Sequence, residues 1–317
     1  MIRIGFILLT HAHPQQTAAL ASALCELYDA PDIVCHHDFS QCKLDKSCLP
    51  RNVRFVEPHF PTSWGCFSII PATLAAMRIL MEGAHAPEWF YLLSGSDYPA
   101  ASPDEVRDQL AKTQFDAFID HREIAWPARP QSELAAHSGG FSRPSYRALA
   151  YKRYCAVAVP RPSKSNPVAF PPEGHSYLFH PIWRAIVPGP FATRFRCYAG
   201  EHWFTGNRKA AEILLSDGVN RKRLLAHLRR RESPEECFYH SMLANAPLHV
   251  SPGNLRYIDW PFADSWHPKT LTIDDLPAIC ASGAHFARKI TPGSPLIAEL
   301  DNRLGIASRD RSVFRVA

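Results

Sequence analysis

Two adjacent glutamates, Glu235 and Glu236, stand at a predicted helix start within residues 233–243, Ser-Pro-Glu-Glu-Cys-Phe-Tyr-His-Ser-Met-Leu. Ser233 can cap free backbone N–H groups, and Pro234 suits the first helical position. A carboxylate fixed on such a helix end can serve as a general base. Acids in a first turn also stabilise a helix simply through its dipole, so other segments must decide between these two interpretations.

Polar residues follow three predicted strands, the first of which has the pattern of a strand buried on both faces in a parallel sheet. The apolar run at 2–10 is followed by His11 and His13, and the strand at 32–38 ends in His-His-Asp. The strand at 89–93 is followed by Ser-Gly-Ser-Asp-Tyr-Pro. Ligands bind beyond the carboxyl ends of parallel strands, so these residues are candidates for holding a polar ligand. Turn formation by Gly, Asp and Pro is the competing explanation for the last segment.

Apolar periodicity predicts the other elements that position these residues. Further strands are expected at 52–56, 115–120, 198–205, 248–250 and 254–260, and helices at 15–27, 69–81, 102–110, 207–215 and 271–281. Their alternation predicts an α/β fold with a Rossmann-like central mixed sheet flanked by helices. Residues 121–185 lack such periodicity and contain proline-rich stretches at 160–167 and 170–174, which indicate either binding loops or disorder.

The composition of the 317 residues limits the class of function. A net charge of +5 is too mild to indicate nucleic acid binding, but it suits a polyanionic small ligand such as a nucleotide diphosphate. The nine cysteines form no Cys-x-x-Cys pair and are odd in number, so we expect reduced thiols in a cytoplasmic protein. No apolar run is long enough for a signal peptide or a membrane span. The basic residues at 221–231 are expected to form a solvated face.

Eight short sequence blocks carry a family resemblance. They are Phe-Ile-Leu-Leu-Thr-His at 6–11, His-His-Asp at 36–38, Ser-Trp-Gly at 63–65, Tyr-Leu-Leu-Ser-Gly-Ser-Asp-Tyr-Pro at 91–99, Gly-Glu-His-Trp-Phe at 200–204, Pro-Glu-Glu at 234–236, Asn-Leu-Arg-Tyr-Ile-Asp-Trp at 254–260 and Phe-Ala-Arg-Lys at 286–289. In this order they resemble the core-2/I-branching glycosyltransferase family, which includes β-1,6-N-acetylglucosaminyltransferases and peptide O-xylosyltransferases.

The resemblance implies a GT-A type fold and an inverting reaction. A β-linked sugar, xylose or N-acetylglucosamine, would pass from a UDP-sugar to a hydroxyl of a glycan acceptor, with Glu236 as catalytic base. One carboxylate is enough, because it takes the proton of the acceptor hydroxyl as that oxygen attacks the anomeric carbon. Many enzymes of the GT-A fold hold the diphosphate through a metal ion, whereas the resemblance implies that basic side chains hold it in this family. No metal or other cofactor is therefore expected, and Arg288 and Lys289 supply positive charge for the diphosphate.

The resemblance also implies roles for other residues. Nucleotide and diphosphate contacts are expected from His11, Asp38, Arg256, Arg288 and Lys289, and sugar or acceptor contacts from Trp64, Ser96, Asp97, Glu201, His202 and Trp203. Glu201 and His202 depart from the family's Gly-Ser-x-Trp-Phe block, so substrate contacts there are expected to differ. The alternative interpretation of Trp64 and the glycine after it is a turn that serves only packing.

We expect a single GT-A-like catalytic domain over residues 1–317. It would comprise a nucleotide-binding β/α half (1–120), a loop-rich insert (121–185), an acceptor and catalytic half (186–295) and a tail (296–317). The expected partners are a UDP-sugar donor and a glycan or lipid-linked glycan acceptor, without nucleic acid. A cytoplasmic location is expected, with peripheral contact between the basic residues 221–231 and an anionic membrane surface. The alternative is a catalytically inactive nucleotide- or carbohydrate-binding protein. An oxidoreductase is disfavoured because no Gly-x-Gly-x-x-Gly follows the first strand.

Overall fold

The computed structural model describes residues 1–84, 86–125, 144–160, 175–178, 182–261 and 267–306. The strands are β1 (Ile4–Thr10), β2 (Ile33–His37), β3 (Val53–Phe55), β4 (Trp89–Ser94), β5 (Tyr98–Pro99), β6 (Ala117–Ile119), β7 (Arg122–Glu123), β8 (Val157–Pro160), β9 (His175–Leu178), β10 (Tyr198–Ala199), β11 (Phe204–Asn207), β12 (Val250–Ser251), β13 (Arg256–Ile258) and β14 (Phe286–Arg288). The α-helices are α1 (Pro14–Tyr28), α2 (Ile69–Leu80), α3 (Pro103–Lys112), α4 (Pro144–Ala150), α5 (Ile182–Ile186), α6 (Arg208–Leu215), α7 (Val219–Leu228), α8 (Glu235–Ala244), α9 (Leu276–Ala281) and α10 (Pro295–Leu304). A π-helical turn spans Tyr151–Cys155.

The core of the fold is a seven-stranded mixed sheet in the order β12-β6-β11-β4-β1-β2-β3. β1 runs parallel to β2 and β4, and β11 lies antiparallel between β4 and β6. Phe6 and Leu8 of β1 pack on one face of the sheet with α1, α3 and α10, whereas Ile7 packs on the other face with α2, α6 and α8. A strand buried on both faces needs helices on both sides. The predicted α/β fold, a central mixed sheet flanked by helices, is therefore confirmed.

A second sheet brings the end of β14 to the carboxyl edge of the central strands. In this three-stranded sheet β14 is parallel to β13 and antiparallel to β5. Just beyond β14, the Ile290 N–H donates to the Ser96 carbonyl at 3.0 Å, and the Ile290 carbonyl accepts from Gln16 Nε2 at 2.7 Å. Because Ser96 follows β4, these bonds hold Arg288 and Lys289 beside the ends of β1 and β4.

Helix α8 is buried on most sides, and its predicted apolar residues, such as Phe238 and Leu243, are in the core. The predicted side-chain cap is wrong. Ser233 has a positive φ of 45°, and its hydroxyl makes no hydrogen bond within the described residues. Its carbonyl accepts instead from the Glu236 N–H at 3.1 Å and from the Tyr154 hydroxyl at 2.8 Å. Tertiary contacts of the Ser233 backbone, rather than its side chain, therefore fix the start of this helix.

The segment 198–205, predicted as strand, forms two short strands, β10 and β11, separated by residues 200–203. The interruption coincides with a close approach, because a Cβ on Gly200 would lie 1.8 Å from the carbonyl oxygen of Asp120. The Gly200 N–H donates to the Glu236 carbonyl at 3.0 Å. The loop between β10 and β11 is thereby pinned against the start of α8.

Regular structure is present where the sequence lacks periodicity. Helix α4 continues directly into the π-helical turn, and β8 pairs antiparallel with β9. Of the loop predicted at 160–167, Pro160 is the last residue of β8, and residues 161–167 lie outside the described residues. The loop predicted at 170–174 and residues 307–317 of the predicted tail also lie outside them.

One member of the predicted solvated basic face is buried. Arg231 is 8% exposed and donates from Nη1 to the carbonyls of Arg153 and Ala156, at 3.2 Å and 2.9 Å. All nine cysteines fall within the described residues and carry free thiols, as predicted. Among the helices of the described residues, none has the length and apolarity needed to cross a membrane.

Candidate active site

A cavity of about 530 Å³ lies at the carboxyl ends of β1, β2 and β4. Predicted site residues from both halves of the chain line it: His11, Trp64, Ser96, Glu201, His202, Trp203, Glu236, Arg288 and Lys289. Asp38, Asp97 and Arg256, also among the predicted contact residues, are buried behind the wall of this cavity. The fold thus assembles most of the predicted site from segments that are far apart in sequence.

Two acidic side chains, Glu235 and Glu236, reach the cavity from the first turn of α8. Glu235 is 5% exposed, and the Glu236 side chain is 21% exposed. Burial raises the pKa of both carboxyl groups above the ordinary value, and the charge of Glu236 raises the pKa of Glu235 further. A carboxyl group with a raised pKa is suited to take a proton from a hydroxyl near neutral pH.

The Glu236 carboxylate has a cationic neighbour, Arg153, in the π-helical turn. Arg153 Nη1 lies 3.5 Å from Glu236 Oε2, and Nη2 lies 2.5 Å from Glu232 Oε1. Against the effect of burial, the charge of Arg153 lowers the pKa of Glu236, whereas the charge of Glu232 raises it. Sequence reasoning missed Arg153 as a site residue, because its segment shows no periodic pattern and belongs to none of the family blocks.

Positive charge reaches the cavity from Arg288 and Lys289 at the end of β14. The Arg288 guanidinium lies over the Trp203 ring, 4.4 Å from its centroid, and Arg288 Nε lies 3.5 Å from Asp97 Oδ1. Burial lowers the pKa of both cations, and for Lys289 the charge of Arg288 acts in the same direction. An arginine remains charged in spite of such a shift. Two neighbouring cations in a cavity wall can hold an anion such as a diphosphate.

Glu201 and His202, which depart from the family block, both line the cavity. Burial, and secondly the charge of Asp120, raises the pKa of Glu201 to about 7. Burial, and secondly the charge of Arg288, lowers the pKa of His202 to about 3, so this ring is neutral at physiological pH. Compared with the family block, Glu201 therefore adds to the cavity wall a carboxyl group with a pKa of about 7, and His202 adds a neutral imidazole.

Asp38 acts on the cavity through its neighbours. Its carboxylate accepts hydrogen bonds from Ser40 N (3.0 Å), Gln41 Nε2 (2.7 Å) and Thr62 N (2.6 Å). Burial would raise the pKa of Asp38, but the hydrogen bonds outweigh this effect and hold the pKa below its ordinary value. Gln41 and Thr62 line the cavity, whereas Asp38 does not. The structure therefore places Asp38 as an internal clamp on two lining residues.

Asp97 and Arg256 hold backbone segments behind the wall. Asp97 Oδ2 accepts from the backbone N and the Oγ of Ser94, at 2.7 Å and 2.5 Å, and closes the turn after β4. Arg256 Nη2 donates to the carbonyls of Leu92 and Phe204, at 2.9 Å and 3.0 Å. These bonds tie β13 to β4 and β11. Neither side chain lines the cavity, so the contacts of Asp97 with a sugar and of Arg256 with a diphosphate stay predictions.

Other lining residues were not among the predicted contacts: His13, His36, Gln41, Thr62, Glu235, Trp260 and His267. For His13 and His36 the available signal was their position at the ends of β1 and β2. Trp260 and His267 follow β13, and His267 contacts the Trp64 ring at a centroid distance of 6.2 Å. In the described part of the chain, no group of three His, Cys, Asp or Glu side chains is arranged to hold a metal ion.

Two plant proteins are similar to this chain, the beta-glucuronosyltransferases GlcAT14B and GlcAT14A of Arabidopsis thaliana. They are 25% identical over 262 residues and 24% identical over 264 residues, which is 80% of this chain in each case. The matched residues make up 52% and 51% of these relatives, so the chain spans about half of their length.

Two solved structures align with nearly the whole chain. The bifunctional glycosyltransferase WbbM aligns with 95% of this chain and 52% of its own, at a TM-score of 0.41 and 8% identity. The galactosyltransferase LgtC, solved with donor and acceptor sugar analogues, aligns with 98% of this chain and 99% of its own, at a TM-score of 0.38 and 9% identity.

The family model of the Core-2/I-Branching enzyme matches residues 33–131 and 175–291. These two stretches make up more than half of the 317 residues. They contain seven of the eight sequence blocks, and the block at 6–11 lies before them. The predicted resemblance is therefore confirmed, and the chain belongs to the Core-2/I-Branching enzyme family.

Proposed function

We propose that this chain is a glycosyltransferase that moves a sugar from a UDP-sugar to a hydroxyl of a glycan, with inversion at the anomeric carbon. The observation that carries the proposal is a carboxylate pair, buried Glu235 and half-buried Glu236, in the wall of the same cavity as two cations, Arg288 and Lys289. The cavity volume of about 530 Å³ is in the range of small-ligand sites. Family membership and the names of the two plant relatives support the reaction class.

In this proposal Glu236 is the general base. Its carboxylate takes the proton of the acceptor hydroxyl, and the hydroxyl oxygen forms a bond to the anomeric carbon from the face opposite UDP. The bond between the anomeric carbon and the phosphate oxygen breaks, and its electron pair leaves with UDP. Burial keeps the pKa of Glu236 above that of an ordinary glutamate, which makes it a stronger base than a solvent-exposed carboxylate.

Arg288 and Lys289 are the electrostatic counterpart of this base. They stabilise the negative charge that develops on the departing diphosphate, and they are already in place before the reaction. Trp203 and Asp97 fix the Arg288 guanidinium, so little reorganisation is needed. We therefore propose a metal-independent reaction.

We propose three candidate donor sugars. The sequence resemblance favours xylose or N-acetylglucosamine, and glucuronic acid is added because the two plant relatives are named beta-glucuronosyltransferases. The proposed acceptor is a glycan or a lipid-linked glycan.

A ligand panel on the purified chain tests the proposal. UDP, the three UDP-sugars, UDP-glucose and a GDP-sugar control are each added with and without EDTA, and the melting temperature and the hydrolysis of the sugar nucleotide are measured. A ligand that binds only the native state raises the melting temperature. Stabilisation and slow hydrolysis of one UDP-sugar in EDTA support the proposal. Binding of UDP without hydrolysis or transfer of any UDP-sugar favours an inactive binding protein, and a requirement for Mn²⁺ contradicts the metal-free reaction.

The base is tested with Glu236→Gln. We expect UDP binding to persist while turnover falls by about 10²–10⁴-fold, the usual contribution of a general base. Glu212→Gln, at an exposed position of α6, is the matched control and should keep wild-type turnover. Near-normal turnover in Glu236→Gln contradicts the assignment.

A further inference from the structure

A segment that the family model does not match reaches the carboxylate pair. The matched stretches end at residue 131 and resume at 175, and α4 and the π-helical turn lie between them. The Tyr154 hydroxyl of this turn donates to the Ser233 carbonyl at 2.8 Å, directly before α8. The π-helical turn is therefore packed against the helix end that carries Glu235 and Glu236.

Arg153 is the charged residue of this segment that approaches the pair. Its side chain is 6% exposed, and its two terminal nitrogens point to different carboxylates, Glu236 at 3.5 Å and Glu232 at 2.5 Å. Arg231 Nη1 donates to the Arg153 carbonyl at 3.2 Å, so the backbone of Arg153 is held as well. Arg153 does not line the cavity, which excludes it as a direct substrate contact in this structure and leaves it a role through Glu236.

Glu235 lacks an equivalent contact. It is 5% exposed, and none of the ion pairs found among the described residues involves it, whereas Glu236 Oε2 lies 3.5 Å from Arg153 Nη1. The Oε2 atoms of both glutamates lack a hydrogen-bond partner in that part of the chain, and the charge of Arg153 lowers the pKa of both, so the difference between them is the distance to Arg153. Two neighbouring buried carboxylates repel each other when both are charged, so one of them keeps its proton longer. The carboxylate with a close cation is the one that loses its proton first.

We propose that Arg153 is a positioning residue that holds the Glu236 carboxylate in the cavity wall and makes Glu236, rather than Glu235, the first ionised member of the pair. The inference rests on the proposed role of Glu236 as base. It assigns to a segment outside the matched family stretches the task of selecting which of two adjacent acids is ready to accept a proton.

Several charged or titratable groups face Glu236, and each of them interacts electrostatically with its carboxyl group. They are Glu232 and Glu235 from its own segment, Arg153 and Tyr154 from the π-helical turn, Tyr146 from α4 and Glu201 from the loop between β10 and β11. Arg153 is the positive charge in this set. A hydrogen bond from Tyr146 also lowers the pKa of Glu236, and the acidic groups oppose both effects.

The test is a carboxyl titration of the full chain by NMR, with ¹³C at the side-chain carboxyl carbons of glutamate. Glu235→Gln and Glu236→Gln assign the two signals. In the wild-type chain we expect Glu236 to ionise at lower pH than Glu235. In Arg153→Met we expect the titration midpoint of Glu236 to rise by about one to three pH units, the usual effect of a neighbouring opposite charge. Arg153→Lys should restore a midpoint close to that of the wild type.

Arg196→Met is the matched control, because Arg196 is an exposed arginine that pairs with Glu123. It should leave the Glu236 midpoint unchanged. An unchanged midpoint in Arg153→Met overturns the proposal, and so does a wild-type chain in which Glu235 ionises first. If Arg153→Met does not fold, the proposal is tested by the order in which Glu235 and Glu236 ionise in the wild-type chain. Failure of the proposed function is seen separately, as normal turnover of Glu236→Gln, which does not depend on any titration midpoint.

Discussion

The Arg288 guanidinium stacks on the Trp203 ring at a centroid distance of 4.4 Å. This contact joins the second sheet to the loop between β10 and β11, two parts of the cavity wall that are distant in sequence. A cation over an aromatic face is attracted by the ring quadrupole, and more strongly when both groups are shielded from water. Arg288 is therefore held by the protein itself, through Trp203 and Asp97. The adjacent Lys289 has no hydrogen bond from its Nζ to any described residue, so its charge is available to a ligand.

Lys289→Met is expected to weaken the binding of UDP by roughly 10–100-fold. A hydrogen bond to a charged group contributes about 1.5–3 kcal/mol, and each tenfold change in affinity corresponds to about 1.4 kcal/mol. Uridine, which has no phosphate, should bind the variant and the wild type equally. Calorimetric titration with both ligands measures the difference. Lys112→Met, at an exposed position of α3, is the control. Equal losses for UDP and uridine argue against a phosphate contact.

Glu201→Gln is expected to stabilise the ligand-free chain, and more so as the pH rises. The pKa of Glu201 is raised from 4.5 to about 7, so the native state keeps a proton that the unfolded chain has lost between these values. The contribution of Glu201 to the free energy of unfolding is therefore present below pH 4.5 and is lost as the pH rises to about 7. Glutamine, which stays neutral, retains an oxygen that can accept from Asn254 Nδ2.

Urea unfolding at pH 5, 6, 7 and 8 measures this dependence. One pH unit corresponds to about 1.4 kcal/mol, so the advantage of Glu201→Gln over the wild type reaches roughly 3 kcal/mol at pH 8 and nearly vanishes at pH 4.5. The exposed-site variant Glu212→Gln corrects for the general effect of losing one negative charge. A difference between variant and wild type that stays constant over this pH range contradicts the raised pKa of Glu201.

Gly200→Ala is expected to lower the free energy of unfolding by about 3 kcal/mol, at the upper end of the effects of overpacking. The new Cβ would lie 1.8 Å from the Asp120 carbonyl oxygen, just after β6, and 3.1 Å from the His240 ring on α8, so the loop must move away from the Asp120 backbone. Gly189→Ala is the matched control, since no atom lies within 4 Å of a Cβ built there. Thermal unfolding of both variants measures the effect, and equal melting temperatures would show that the loop accommodates the methyl group.

The central strands could be predicted from the sequence, because long apolar runs bounded by polar residues have few alternative structures. The residues of the candidate active site were harder to predict from the sequence. Glu236 lies on a helix end with a local pattern, and Lys289 belongs to a recognisable block. Arg153 and His267 reach the site only through tertiary packing, for which neither segment carries a local signal. Residues that meet through packing cannot be found from periodicity or spacing.

The two strand-end aspartates show a different limit of sequence reasoning. Asp38 and Asp97 occupy positions that suit ligand contact, and both are buried and hydrogen-bonded to their own turns, Asp38 through Ser40 and Asp97 through Ser94. An aspartate that grips a ligand and one that closes a turn look alike in sequence, because both roles need an acceptor directly after a strand. The direction of the side chain, which only the fold determines, separates them.

Asp38→Asn tests whether Asp38 holds the lining residues Gln41 and Thr62 in place. The amide keeps the size of the side chain but presents an NH₂ group to donors such as Thr62 N and Gln41 Nε2, so at least one of these partly buried donors loses its acceptor. We expect a loss of about 1–3 kcal/mol in the free energy of unfolding for each unsatisfied group, together with weaker UDP binding as the two lining residues shift. Asp45→Asn, at an exposed turn where Asp45 accepts from Ser47, is the control. Wild-type stability in Asp38→Asn would contradict the clamp.

Trp64→Ala separates a packing role from a ligand-binding role. Trp64 is 66% exposed although it lines the cavity, so removal of its side chain should change the free energy of unfolding by less than about 1 kcal/mol. An exposed aromatic ring at the edge of a cavity offers an apolar face to a sugar ring. We expect the KM for the acceptor glycan to rise about tenfold or more, which corresponds to a loss of about 1.4 kcal/mol or more. UDP affinity should be retained.

Steady-state kinetics with the donor and the acceptor varied in turn measure the effect of Trp64→Ala, and Trp64→Tyr should retain most of the acceptor affinity because it keeps a flat ring. Trp183→Ala is the control, since Trp183 on α5 is also an exposed tryptophan but does not line the cavity. If Trp64→Ala lowers the melting temperature by several degrees and leaves the acceptor KM unchanged, Trp64 is a packing residue and does not contact the acceptor.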